Sequence, residues 1–227
     1  MLSPYLNNWQ LFTIFFGLML LVSFIMMRQS RDFSTFYVTK RKFSIMELEI
    51  PATYAGMIRI IKGLFLLPEI DRKKSIDALK GQLWLDFLFM PLAYGSIFLL
   101  CWRVSAKFQS AFGHYVFFVF AVLQVVPWIC DIIENIYLLG KIKQGVNIDD
   151  SKEALEKKAN LHKAYLIMEA VKWGTALTAT VCAVSAICYF WLTGGYTATS
   201  LKYAVIALVE TAAFIFISKR FGNGKNV

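Results

Sequence analysis

In the stretch Asp131-Ile132-Ile133-Glu134-Asn135, two carboxylates and an amide interrupt a run that is otherwise apolar. Asp131, Glu134 and Asn135 stand at i, i+3 and i+4, which on a helix is one face, so all three can address a single partner or cavity. Groups of this kind bind cations, hold or relay protons and accept hydrogen bonds from a polar ligand, and a carboxylate among them can serve as a general base. In an apolar solvent each is costly unless it is paired. Neighbouring apolar runs offer further ionisable groups: Asp86 in one, Glu169 and Lys172 in another.

The elements that must position these residues are membrane spans. Of 227 residues, 58% are hydrophobic and 20 are Phe, with a mean hydropathy of +0.55, outside the range of ordinary soluble domains. We read an all-α polytopic membrane helix bundle, a single integral membrane domain over 1–227 with about five transmembrane helices at 9–27, 82–102, 113–139, 164–192 and 200–218. The first is expected to be an uncleaved anchor, with Trp9 at an interface and Arg28 and Arg31 directly after it. Pro91 lies in the second span and Pro127 in the third, each freeing a backbone carbonyl and permitting a kink. In the fourth, Gly174, Thr178, Cys182 and Ala186 recur every four residues and predict close approach of a neighbouring helix.

Between spans one and two runs a cytoplasmic loop, 28–81, rich in Lys and Arg. Its Phe33 to Ile50 segment alternates loosely and predicts a short hairpin. After Pro51, Tyr54, Met57, Ile58, Ile61, Leu64 and Phe65 recur at helical spacing, predicting an amphipathic helix that ends at Pro68. It lies either on the inner leaflet or on the protein's own cytosolic surface. A second charged connection, 140–164, predicts a short helix after Ser151. Twenty of the 24 Lys and Arg residues fall in segments assigned to one side and only Arg103 and Lys107 in the opposite link, which gives an N-out/C-in orientation.

The formal charge of +9 is explained by this orientation, since the basic residues flank apolar runs, and no nucleic acid partner is expected. Cys101, Cys130, Cys182 and Cys188 lack C-x-x-C spacing and read as packing residues. His114 and His162 fall on opposite sides and cannot share a metal, so the expected metal set is none, and no cofactor is assigned. Glu210, isolated in the fifth span, is expected to be neutral and hydrogen-bonded against a small-residue helix.

The topology also assigns depths. Asp131 lies nine residues before Gly140 and Lys172 nine after Lys163, roughly 13 Å of helix from a cytoplasmic end. Asp86 is six residues from Lys80, roughly 9 Å by the same rise. One cytosol-facing cluster drawn from spans two, three and four is the economical arrangement, with carboxylates outnumbering Lys172.

The residues Asp86-Phe-Leu-Phe-Met-Pro91-Leu-Ala-Tyr94-Gly95, then Asp131-Ile-Ile-Glu134-Asn135, then Lys172 resemble a family of uncharacterised bacterial polytopic membrane proteins with the pattern D-x-x-F-P-x-x-Y-G, D-x-x-E-N and a lysine in the next span. The stretch from Phe43 to Thr53 is similar to that family as well, and the likeness covers about Phe43 to Trp173. Met90, inserted between Phe89 and Pro91, departs from the pattern and shifts the kink. The resemblance implies a multi-pass protein of a bacterial inner (plasma) membrane and brings Tyr94 into the candidate ligand-binding set with Asp86, Asp131, Glu134, Asn135 and Lys172. Catalytic residues are not assigned. Three functions remain open: a membrane protein that binds or transports a small polar ligand, lipid headgroup or cation; an inner-leaflet lipid-modifying enzyme; and a structural or assembly subunit. The expected partners are the lipid bilayer, a lipid or small polar ligand, and either a protein partner or a second copy of the chain.

Overall fold

The computed structural model describes residues 8–148, 151, 159–196 and 198–222. In chain order these form α1 (Trp9–Gln29), a 3-10 turn (Ser30–Asp32), β1 (Ser34–Phe36), β2 (Lys40–Lys42), α2 (Met46–Glu49), α3 (Tyr54–Phe65), α4 (Glu69–Ser105), α5 (Ala111–Leu123), α6 (Val125–Gln144), α7 (Ala159–Leu192) and α8 (Ala198–Gly222). Among the described residues, five stretches are long and apolar enough to cross a membrane: Trp9–Asp32, Glu69–Ser105, Ala111–Asn147, His162–Leu192 and Ser200–Arg220. The protein is therefore a multi-pass helical membrane protein. The helix expected after Ser151 falls largely outside the described residues.

Two elements depart from the expected bounds for physical reasons. The charged segment 69–81 is not loop but the start of α4, whose 37 residues make about 55 Å of helix. Ser75, Leu79, Gln82 and Leu83 form one buried helical face across the point where hydropathy alone would begin the span. Glu69 and Asp71 fall in the first turn, where the helix dipole favours acids. The third apolar run is broken at Gln124 into α5 and α6. Pro127 has no N–H for the Leu123 carbonyl, and the buried Gln124 donates its Nε2 back to the Phe120 carbonyl at 3.0 Å.

The described chain divides into two compact units. One comprises residues 1–24, 88–128 and 173–227. Its core joins Phe12, Leu99, Cys101, Phe117, Ala121, Ala179, Ala183 and Ile187. Arg103 lies 4.1 Å over the Trp9 ring, which stacks on Trp191 at 6.0 Å between centroids. The small-residue face of α7 is one position away from the expected register. Ala176, Ala179 and Ala183 are buried, with Cys101 Sγ 3.8 Å from the Ala179 carbonyl, whereas Gly174 faces open space. Glu210 packs its carboxylate on Gly17, where a Cβ would stand 2.9 Å from Oε1, and its buried Oε2 has no hydrogen-bond partner among the described residues.

The second unit comprises residues 25–87 and 129–172. The expected hairpin is present, with Ser34 opposite Lys42, Thr35 opposite Arg41 and Phe36 opposite Lys40. Thr35 donates to the Ile60 carbonyl at 2.9 Å, and Gly63 lets α3 approach so closely that a Cβ there would collide with Thr35 Oγ1 and the Phe36 carbonyl. Ser75 Oγ donates to the Asp32 carbonyl at 2.7 Å and accepts from the Ser34 N–H at 3.2 Å, fastening the hairpin to α4. The N-terminus of α3 is capped by Thr53, which accepts from the Gly56 N–H at 3.0 Å. Its apolar residues Met57, Ile58, Ile61 and Leu64 are buried in a core shared with Phe33, Leu48, Leu79, Leu83, Leu138 and Ile142. This apolar face packs against the protein itself.

Candidate functional site

Within the second unit, α6 carries Asp131, Glu134 and Asn135 on one face, continued by the buried Leu138 and Ile142. Opposite, α7 presents Tyr165, Glu169 and Lys172 at i, i+4 and i+7. The Lys172 ammonium meets three carboxylates: Asp131 Oδ1 at 2.9 Å, Glu134 Oε2 at 2.6 Å and Glu169 Oε2 at 2.6 Å. All four side chains are buried, with Glu134 only 2% and Lys172 only 3% exposed. The Glu134 contact is a hydrogen bond, whereas Glu169 Oε2 lies at ion-pair distance without hydrogen-bond geometry. The other oxygen of Glu134, Oε1, accepts from the Tyr165 hydroxyl at 2.8 Å, which also lies 3.4 Å from the Leu48 carbonyl.

The fourth carboxylate is reached through an amide. Asn135 Nδ2 donates to Asp86 Oδ2 at 2.8 Å and to the Leu83 carbonyl at 3.3 Å, joining α6 to α4. Glu49, at the end of α2, is half-buried. Its carboxyl is pushed up to about 7 by burial, with Lys172 pulling it down and Asp86, Glu169 and Asp131 adding to the rise. Three carboxylates thus contact Lys172 directly, Asp86 is joined to them through Asn135, and Glu49 feels their charge. That lysine occupies the point where the three nearest acids converge, and among the described residues no group of His, Cys, Asp or Glu is arranged to hold a metal ion.

Of the residues singled out in the sequence, Asp86, Asp131, Glu134, Asn135 and Lys172 are brought together. Tyr94 belongs to the first unit, where it lines a recess with Pro91, Gly95, Phe98, Gln124 and Trp128. Sequence reasoning missed Tyr165, although its helical spacing to Glu169 and Lys172 was available. It also missed Glu49 as a member, because a four-residue helix leaves no periodic signal.

Beside the cluster is a cavity of about 200 Å³, lined by Tyr54, Met57, Ile133, Glu134, Tyr137, His162, Ala164, Tyr165 and Met168. Glu134 and the Tyr165 that donates to it are common to both, so the cavity touches the charged network directly. The Tyr137 and Tyr165 rings lie 5.9 Å apart between centroids. Such a site can bind a cationic or hydrogen-bonding group, or exchange a proton with it.

No family model, curated protein or solved structure matches this chain significantly, so the reading of the site rests on its own chemistry.

Proposed function

We propose that this membrane protein binds or transports a small polar ligand, a lipid headgroup or a cation through the cluster of Asp86, Asp131, Glu134, Asn135 and Lys172. The observation that carries this reading is an excess of buried carboxyl groups in a cluster of which one member, Glu134, lines a cavity. Lys172 is shared among Asp131, Glu134 and Glu169, Asp86 is held by an amide rather than by a cation, and Glu134 faces the cavity. Intramembrane charges are rarely retained without a role, and a cluster with surplus acid has capacity for a further cation or proton. The site is proposed to face the cytosol of a bacterial inner membrane, with the chain N-out/C-in, on the strength of the Lys and Arg distribution between loops.

One observation favours a structural reading instead. The Lys172 contacts with Asp131 and Glu134 tie α6 to α7, and such a lock needs no ligand. The two readings separate in a thermal-stability screen of the purified protein in neutral detergent against phosphoethanolamine, phosphocholine, alkylamines and divalent cations. A ligand at one hundred times its Kd stabilises by about 2.7 kcal/mol. Binding predicts an additive that raises the midpoint of the wild type but not of Asp131→Asn/Glu134→Gln. If no additive moves the wild type and the double variant is simply unstable, the structural reading stands.

A further inference from the structure

The cavity that Glu134 lines is walled by three tyrosines, Tyr54, Tyr137 and Tyr165, and its remaining lining is largely aliphatic: Met57, Ile133, Ala164 and Met168. Aromatic walls with a carboxylate attract alkylammonium groups, because the ring faces are negative and the hydrocarbon around the charge needs no water. Such a fit is already realised in this wall, where Lys141 Nζ lies 5.4 Å from the centroid of the Tyr137 ring. The carboxyl groups behind Glu134 outnumber the cluster's cation, so the charge complement is positive. Beside the cavity, α6 and α7 expose Ile133, Ile136 and Ile167, more than half of each side chain accessible. On spanning helices these are surfaces for acyl chains. His162 lines the same wall, and its buried Nε2 has no hydrogen-bond partner among the described residues. It can donate to a phosphate oxygen.

We infer that the cavity of Tyr54, Tyr137, Tyr165, Glu134 and His162 is a headgroup site for an ammonium-bearing phospholipid. The ammonium sits among the tyrosine rings near Glu134, the phosphate meets His162, and the acyl chains leave along the exposed isoleucines. This rests on the binding reading above and names its ligand class.

The test is native mass spectrometry of the full chain, delipidated and titrated separately with phosphatidylethanolamine, phosphatidylcholine and phosphatidylglycerol. Both ammonium lipids should bind at least about fivefold more tightly than phosphatidylglycerol, the scale of a solvent-exposed cation–π contact. Hexyltrimethylammonium should displace them and hexanol should not. Tyr137→Phe keeps the ring and should keep the preference; Tyr137→Leu should erase it, with Tyr54→Leu as the second variant if Tyr137→Leu does not fold. Equal or reversed lipid preference, or a preference unchanged in the Leu variants, overturns the inference. Adducts that depend on Glu134 but not on the headgroup would overturn it while leaving the binding function standing; no adduct with any lipid or additive would remove both.

Discussion

Lys172 is the residue on which the charged network turns. Breaking a buried ion pair by removing one partner leaves uncompensated charge and costs about 3–5 kcal/mol. Lys172→Met is therefore expected to lower stability by that amount in unfolding measurements in detergent, and adding Glu134→Gln should recover part of the loss, since one stranded carboxylate is removed. Glu49 makes the opposite kind of prediction. Its folded-state carboxyl is raised to about 7, so the native state holds a proton that the unfolded chain releases at lower pH. Wild-type stability therefore falls as pH rises from the ordinary carboxylate range through 7. Glu49→Gln should be more heat-stable than wild type at pH 8, and the gap should close as pH falls from about 7 to the ordinary carboxylate range. A pH-independent gap would show that Glu49 is not in this electrostatic system. The principal acids of the site were legible because a carboxylate inside an apolar run stands out by cost alone. Glu49 stood in a polar loop, where a carboxylate costs nothing until the chain folds over it.

At the scale of elements, the hairpin and α3 depend on one close approach. A Cβ at Gly63 collides with Thr35 Oγ1 and with the Phe36 carbonyl, and backbone cannot move aside as a side chain can. Gly63→Ala is expected to cost about 1–3 kcal/mol by overpacking and to speed amide exchange in 34–42 before it affects α7. Exchange that is uniform or unchanged would refute the coupling. The hairpin could be anticipated from its β-branched and aromatic alternation, and α3 from its apolar period. What could not be read was which surface covers α3, since periodicity marks a face without naming its partner. The start of α4 was misplaced because Arg72, Lys73, Lys74 and Lys80 suppress hydropathy while remaining good helix formers. The packing face of α7 was misplaced by one position because glycine permits close approach without requiring it, and Gly174 meets nothing.

For the whole molecule, the proposed orientation makes a direct demand. In a background lacking Cys101, Cys130, Cys182 and Cys188, Gln109→Cys should react with a membrane-impermeant maleimide in intact cells. Val38→Cys, at the exposed tip of the hairpin, should react only after permeabilisation; the reverse pattern would invert the topology and turn the site outward. The central claim is that the buried carboxylates serve a ligand rather than only holding helices together. The most direct measurement is native mass spectrometry of protein released from its own membrane in mild detergent, wild type beside Asp131→Asn/Glu134→Gln, both first shown to be folded. The account predicts a small molecule or lipid retained by the wild type and lost from the variant. A bare chain in both, or the same adduct in both, would contradict it.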